Sequence, residues 1–279
     1  MLAQPAHAHP KCRDQEILFF TRTTPMPSGL GVAMRGYMHL QALAKIGRVT
    51  LVLANAGDVD VSASAPLCAR IVNLQDKAFA DSTSLWLDPE RIARQSIVAF
   101  RMRVARDVDL ALKRAHCRAA RRVVDFDDIE SRAVRRSLLP DFKAIGWTAT
   151  ASNILQTLRL RRLETMLLKQ WDDVLICSST DQALLQRRRP RAQVQVQPNT
   201  LALPDLLAPE PPGDDARLLF VGALNYPPNI DALDFFGAQL LPAIRQRLSG
   251  RVAVTIVGRK PVDRATAAAQ QMGAQLIAN

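Results

Sequence analysis

Two glycines stand in a breaker segment, Pro27-Ser28-Gly29-Leu30-Gly31, between an apolar run and an amphipathic stretch. Glycine there lets backbone approach a phosphate or a sugar, with the N–H groups of a following helix pointing at it. A tight turn that needs glycine accounts for the same residues. The segment is not a dinucleotide fingerprint, since Met34 takes the third glycine position and Ala54-Asn55-Ala56 stands where an acidic residue holds a ribose. It also lacks the Gly-Lys-Ser/Thr of a Walker loop.

Carboxylates form a second group, Asp125-Phe126-Asp127-Asp128-Ile129-Glu130-Ser131, after an apolar run and before a helical pattern. Acidic groups at the end of a parallel strand sit where such folds hold substrates, and at least one of these carboxylates is a candidate for chemistry. The same spacing suits a capping box between Asp127 and Glu130. Ser178-Ser179-Thr180-Asp181 lies at a similar junction, where Ser179 with Gln182 is a natural cap. Pro198-Asn199 ends a further strand, and the loop 222–229 (GALNYPPN) leads into a helix whose N-terminus suits a phosphate. His39 and His116 fall within helical patterns and read as incidental. Neither a metal-ligand spacing nor a Ser-His-Asp arrangement is found, and no metal site is expected.

The elements that must position these residues alternate. Residues 16–22 (EILFFTR) read as a buried strand, 34–46 as a helix stopped by Gly47, and 48–54 (RVTLVLA) as the next strand. That is a βαβ unit with an expected right-handed crossover. Further strands are predicted at 69–74, 121–126, 173–177 and 193–197, with helices in the intervals and the longest over 151–171. Continuous apolar strands between helices imply a parallel sheet covered on both faces. Pro204, Pro209, Pro211 and Pro212 then mark a boundary, after which the pattern restarts. A strand is expected at 217–222, a helix over 229–248, a strand at 251–258, a helix over 262–272 and a strand at 274–277. The expected organisation is a flexible arm at 1–15, a Rossmann-like domain at 16–200, a Pro-rich linker at 201–216 and a second Rossmann-like domain at 217–279. The second, with three strands, is expected to be incomplete.

With 279 residues, 48% hydrophobic and 23% charged, the chain has the composition of a globular protein rather than a disordered one. Its net charge of +11 is concentrated between Arg91 and Arg136 and in Arg187-Arg188-Arg189. Such a field attracts phosphates, whether nucleic acid, anionic lipid or a lipid diphosphate, and solvated helix faces are the alternative. Basic-aromatic interleaving is lacking, so nucleic acid is not an expected partner. Cys12, Cys68, Cys117 and Cys177 form no CxxC pair. With neither a signal-peptide stretch nor an apolar span, the expected location is the cytoplasm, with a peripheral place at the inner face of the membrane as an extension.

Taken in order, PxPSGLGxxxR, VVDFDDIES, RRLETMLLKQWDDVLICSSTDQALL, VQVQPN, LLFVGALNYPPNIDALDFF with LLPAIR, and VTIVGRKP resemble the retaining family 4 glycosyltransferases. The closest branch is that of bacterial exopolysaccharide-type sugar transferases. The resemblance spans nearly all of 16–279 and implies the GT-B fold of two facing Rossmann-like domains. It implies transfer of a sugar from a nucleotide-sugar donor to a polysaccharide or lipid-linked acceptor, with no cofactor and no required metal. Gly29 and Gly31 would lie over donor phosphates and acceptor, and Asp127 and Asp128 would face the acceptor. Gly222, Asn225, Asn229 and Arg259 would line the donor side, with Ser178 and Asn199 at the cleft edge. Where many members carry an Arg and a Lys-Gly that clamp the diphosphate, this chain has Ala223 and Pro228-Asn229. The family's glutamate-bearing segment would lie beyond Asn279, so impaired transfer is expected, the alternative being a non-catalytic, acceptor-binding remnant. Lipid-linked acceptors would bring the basic first domain to anionic membranes.

Overall fold

A computed structural model describes residues 15–54, 59–75, 89–137, 147–200, 216–248 and 252–278. The chain divides into two compact units, Met1–Ala202 and Leu203–Asn279. The expected arm and Pro-rich linker lie outside the described residues, apart from Gln15 and Ala216.

The first unit is a seven-stranded, wholly parallel sheet in the order β3-β2-β1-β4-β5-β6-β7. Its strands are β1 (Glu16–Thr21), β2 (Arg48–Leu53), β3 (Arg70–Asn73), β4 (Ser96–Phe100), β5 (Arg121–Asp125), β6 (Asp173–Ile176) and β7 (Val194–Val196). Between them run α1 (Gly31–Ile46), α2 (Pro89–Ile92), α3 (Met102–Arg114), α4 (Glu130–Ser137), α5 (Trp147–Gln170) and α6 (Ser179–Arg188). Side chains of a strand alternate between faces, and both faces here are apolar. Ile17, Phe19, Leu51, Val98 and Phe100 pack with Leu40 of α1 on one side. On the other, Leu18, Phe20, Val52, Ile97 and Ala99 share a core with α3 and α5. Val104, Ala105, Val108, Ala111 and Leu112 form the buried stripe of α3 at helical spacing. The sequence predicts no strand at β4, yet it is the central neighbour of β1 and is buried throughout. Its run, SIVAF, is short and sits inside the most basic part of the chain, where the surrounding arginines hide it.

The second unit carries β8 (Ala216–Val221), β9 (Val252–Gly258) and β10 (Gln275–Ala278), parallel and in the order β10-β9-β8. The helix expected over 229–248 is three pieces: α7 (Pro227–Phe235), a π turn at Phe236–Leu240, and α8 (Leu241–Arg247). Pro242 has no N–H to give the carbonyl four residues back, and the helix widens just before it, with Leu241 N–H reaching Phe236 O. The last helix is α9 (Asp263–Met272). Leu218 and Phe220 pack with Leu233, Ile256 and Ala269, whereas Leu219 and Val221 point to the other face, 66% and 69% exposed.

Candidate functional site

Because every strand of the first sheet runs the same way, the loops after β1, β5, β6 and β7 open on one edge. That edge gathers Gly29, Asp127, Asp128, Ser178 and Asn199. Gly29 has φ +104°, a conformation L side chains rarely adopt, so glycine is required there by the backbone. Gly31 opens α1 with free space where a Cβ would stand, and no such demand applies to it.

At the centre of the edge lies a buried charged cluster that the sequence reading did not assemble. Arg35 and His39 are four residues apart on α1 and therefore share its inward face. Arg35 closes the glycine motif and is only 3% exposed, and Asp125, the last residue of β5, is fully buried. The guanidinium donates Nε–H to Asp125 Oδ2 at 2.7 Å and Nη2–H to Oδ1 at 3.1 Å, a two-pronged pair. Its Nη1 donates to the Gln197 carbonyl at 2.9 Å and to Asn199 Oδ1 at 2.8 Å. One arginine thus ties α1, β5 and the end of β7 together. His39 Nε2 contacts Asp125 Oδ2, so His39 is part of this cluster rather than incidental. Burial pushes the Asp125 carboxyl up, but the hydrogen bonds and charges of His39 and Arg35 outweigh it and hold it below the ordinary range.

Asp127 sits on top of this pair. Its N–H donates to Asp125 Oδ1 at 2.8 Å, its φ is +61°, and its carboxylate lies 3.6 Å from Arg35 Nε. Burial raises its pKa and the negative charges of Asp125 and Asp128 add to this, against the opposing pull of Arg101 and Arg35. The result is a partly exposed carboxylate, 22% accessible, on a strained backbone at the edge where ligands bind. The predicted Asp127–Glu130 capping box does not form. Asp128 Oδ1 takes the Ile129 N–H instead, and Glu130 pairs with Arg103 at 3.6 Å. The cap of α6 is also shifted by one residue: Ser178 Oγ accepts from Asp181 N–H at 3.1 Å and donates to its Oδ2 at 2.8 Å. Ser178 therefore holds a helix end at the edge.

Several arginines pair with carboxylates of the same unit. Arg91 pairs with Glu16, Arg106 with Asp107, Arg121 with Asp173, Arg132 with Asp181, and Arg188 with the buried Glu164. Glu164 also accepts from Ser131 N–H and Oγ at 2.9 and 2.7 Å.

In the second unit Gly222, Asn225, Asn229 and Arg259 all follow β8 or β9 and so share that sheet's C-terminal edge. Asn229 Nδ2 donates to the Ala223 carbonyl at 3.0 Å, and Leu224 N–H to the Arg259 carbonyl at 2.9 Å. A Cβ on Gly222 would stand 2.7 Å from Asn229 Nδ2, so glycine permits this close approach. Arg259 and Asn225 are exposed beside it. Among the described residues no group of three His, Cys, Asp or Glu is placed to hold a metal ion, and no helix is long and apolar enough to cross a membrane.

The chain matches no protein-family model and no curated protein. Among solved structures it is similar to an O-GlcNAc transferase mutant of Thermobaculum terrenum, with 14% identity and a TM-score of 0.49, covering 99% of this chain and 46% of that one. It is also similar to the α,α-trehalose 6-phosphate synthase of Burkholderia multivorans, with 11% identity and a TM-score of 0.50, covering 96% of this chain and 73% of that one. The chain thus spans about half the length of the first of these structures. The likeness to the synthase is one of fold, the mostly parallel α/β architecture of GT-B glycosyltransferases.

Proposed function

We propose that the chain is a nucleotide-sugar glycosyltransferase or a major part of one. Within that class we place it with the retaining family 4 enzymes of exopolysaccharide type, acting on a polysaccharide or lipid-linked acceptor. The observation that supports this most is Asp127. It is a raised-pKa, partly exposed carboxylate held at positive φ over a buried Arg35–Asp125 pair, on the ligand-binding edge of a parallel sheet.

In this reading the acceptor hydroxyl sits against Asp127, while Gly29 lets backbone approach sugar and phosphate. The acceptor oxygen bonds to the anomeric carbon on the same face from which the diphosphate departs, so that configuration is retained, and the bond to the diphosphate breaks. Its electron pair leaves with the nucleoside diphosphate, and Asp127 takes the hydroxyl proton. A carboxyl with a raised pKa suits proton uptake better than an ordinary aspartate. Gly222, Asn225, Asn229 and Arg259 hold the donor's nucleotide end, and Arg259 offsets charge on the departing diphosphate. The cytoplasmic, membrane-peripheral placing belongs to the same proposal. It draws support from an open groove of about 760 Å³ lined by Arg132, Arg135, Arg161, Arg187 and Arg188 of α4, α5 and α6.

The test is a panel of UDP- and GDP-sugars offered with lipid-linked and oligosaccharide acceptors to the protein its reading frame encodes, reading nucleoside diphosphate release. Release that depends on an acceptor is the expected result. No release and no binding of any donor would overturn the proposal.

A further inference from the structure

Between β1 and β4 the strand order reverses direction, because successive connections run outward from β1 through β2 and β3 and then return to β4 on its other side. Crevices at such a point, at the C-terminal strand edge, are where open α/β sheets take ligands. A cavity of about 390 Å³ lies there, lined by Thr21, Arg22, Thr23, Arg101, Arg103 and Glu130 among others. The lining thus holds three arginines and one acidic residue, Glu130.

Two of the three arginines have a partner. Arg22 is paired to Asp107 at 2.7 Å and Arg103 to Glu130 at 3.6 Å. Arg101 is different. Its Nε is buried and makes no hydrogen bond, an expensive state for a charged donor. Its backbone is strained as well, with φ 78° and ψ 147°, a conformation found almost only in glycine. The main chain needs this shape to leave β4 for α3, and Arg101 N–H bonds the Asp125 carbonyl at 2.8 Å. Glycine would meet that need without strain. The sequence places there instead the side chain with the most donors, its Nε unpartnered, among the arginines that line the cavity.

We propose that this cavity is a binding site for a phosphate or diphosphate group, with Arg101 as its principal ligand and Arg22 and Arg103 as flanking cations. The anion completes the hydrogen bonding that Arg101 lacks within the chain. Resting on the transferase reading, the group is the phosphate of the acceptor, since Arg101 N–H bonds the carbonyl of Asp125, two residues before Asp127 on the same strand edge.

Binding alone tests the site, with no donor and no turnover, so its failure is separate from failure of the transferase reading. Calorimetry at low salt uses inorganic pyrophosphate, farnesyl diphosphate and UDP as probes. The proteins are wild type, Arg101→Gly, Arg103→Gln, Arg187→Gln in the other basic groove, and Arg259→Gln in the second unit. Arg101→Gly removes the ligand and relieves the backbone. It is expected to weaken pyrophosphate binding about tenfold or more, the worth of charge-assisted hydrogen bonds, without lowering Tm. Arg187→Gln should leave it unchanged, and Arg259→Gln is expected to weaken UDP. If Arg101→Gly does not fold, Arg103→Gln carries the same comparison. Equal affinity for the two diphosphates identifies a free phosphate as the ligand, and tighter binding of the prenyl compound identifies a lipid diphosphate. Absence of binding by wild type at millimolar probe, unchanged binding by Arg101→Gly, or loss in Arg187→Gln alone overturns the proposal.

Discussion

Replacing Arg35 by Met removes one partner of a fully buried ion pair while keeping an apolar stem of similar length. Asp125 is then left with His39 and the Asp127 N–H and without the two guanidinium bonds of 2.7 and 3.1 Å, and the Gln197 carbonyl and Asn199 side chain lose this donor. Breaking a buried pair in this way costs about 3–5 kcal/mol, a large share of the ~5–15 kcal/mol of an ordinary domain. For a unit of this size that is a fall in Tm of roughly 6–20 °C. Urea unfolding by circular dichroism should show a lower midpoint at unchanged slope. The pH dependence carries a second signature. Asp125 has a depressed pKa when folded, so its stabilisation is complete above the ordinary aspartate value of about 3.9 and is lost as pH falls through the lower folded value. In Arg35→Met this acid-induced loss should shrink, because the carboxylate loses one of the two groups, His39 and Arg35, that hold its pKa down. A cost below about 1 kcal/mol, the range of an exposed pair, with an unchanged acid limb, would refute the idea that Arg35 holds the edge together.

Asp127→Asn should raise stability at neutral pH, because the folded protein disfavours the charged form and Asn accepts positive φ. The gain should vanish as pH falls below the ordinary aspartate value, since Asp127 is then protonated in both states; thermal melts across pH check it. Ser178→Ala removes the cap of α6 and should cost about 1 kcal/mol, read by urea unfolding. In Gly258→Ala the new Cβ would collide with the Gly222 carbonyl oxygen, so hydrogen exchange should show loss of protection in β8 and β9 with β1 and β4 unaffected.

The alternating architecture was legible because a parallel sheet buried on both faces writes its strands as continuous apolar runs, as in EILFF and RVTLVL. The same signal failed at SIVAF, where five residues lie between Gln95 and Arg101 and the surrounding charge dominates any window. Edge residues were legible as ends of runs, which is why Gly29, Asp127 and Asn199 share one edge. Their partners were not. A charged residue in a helix normally faces water, and nothing local marks Arg35 and His39 as turned inward to Asp125, some ninety residues on. Nor does spacing reveal that Asp127 has positive φ, which decides that its carboxylate faces Arg35 and leaves the helix cap to others.

Acceptor-dependent nucleoside diphosphate release by wild type and Asp127→Asn, each measured across pH with donor affinity determined in parallel, bears most directly on the proposed chemistry. If Asp127 meets the acceptor hydroxyl, Asp127→Asn lowers turnover about 10²–10⁴-fold with donor affinity unchanged. The wild-type rate then falls toward acid at a pH above that of an ordinary aspartate, a limb absent from the variant's residual rate. Equal turnover by the two proteins, with the same acid limb in both, would show that the Asp127 carboxylate takes no part in transfer.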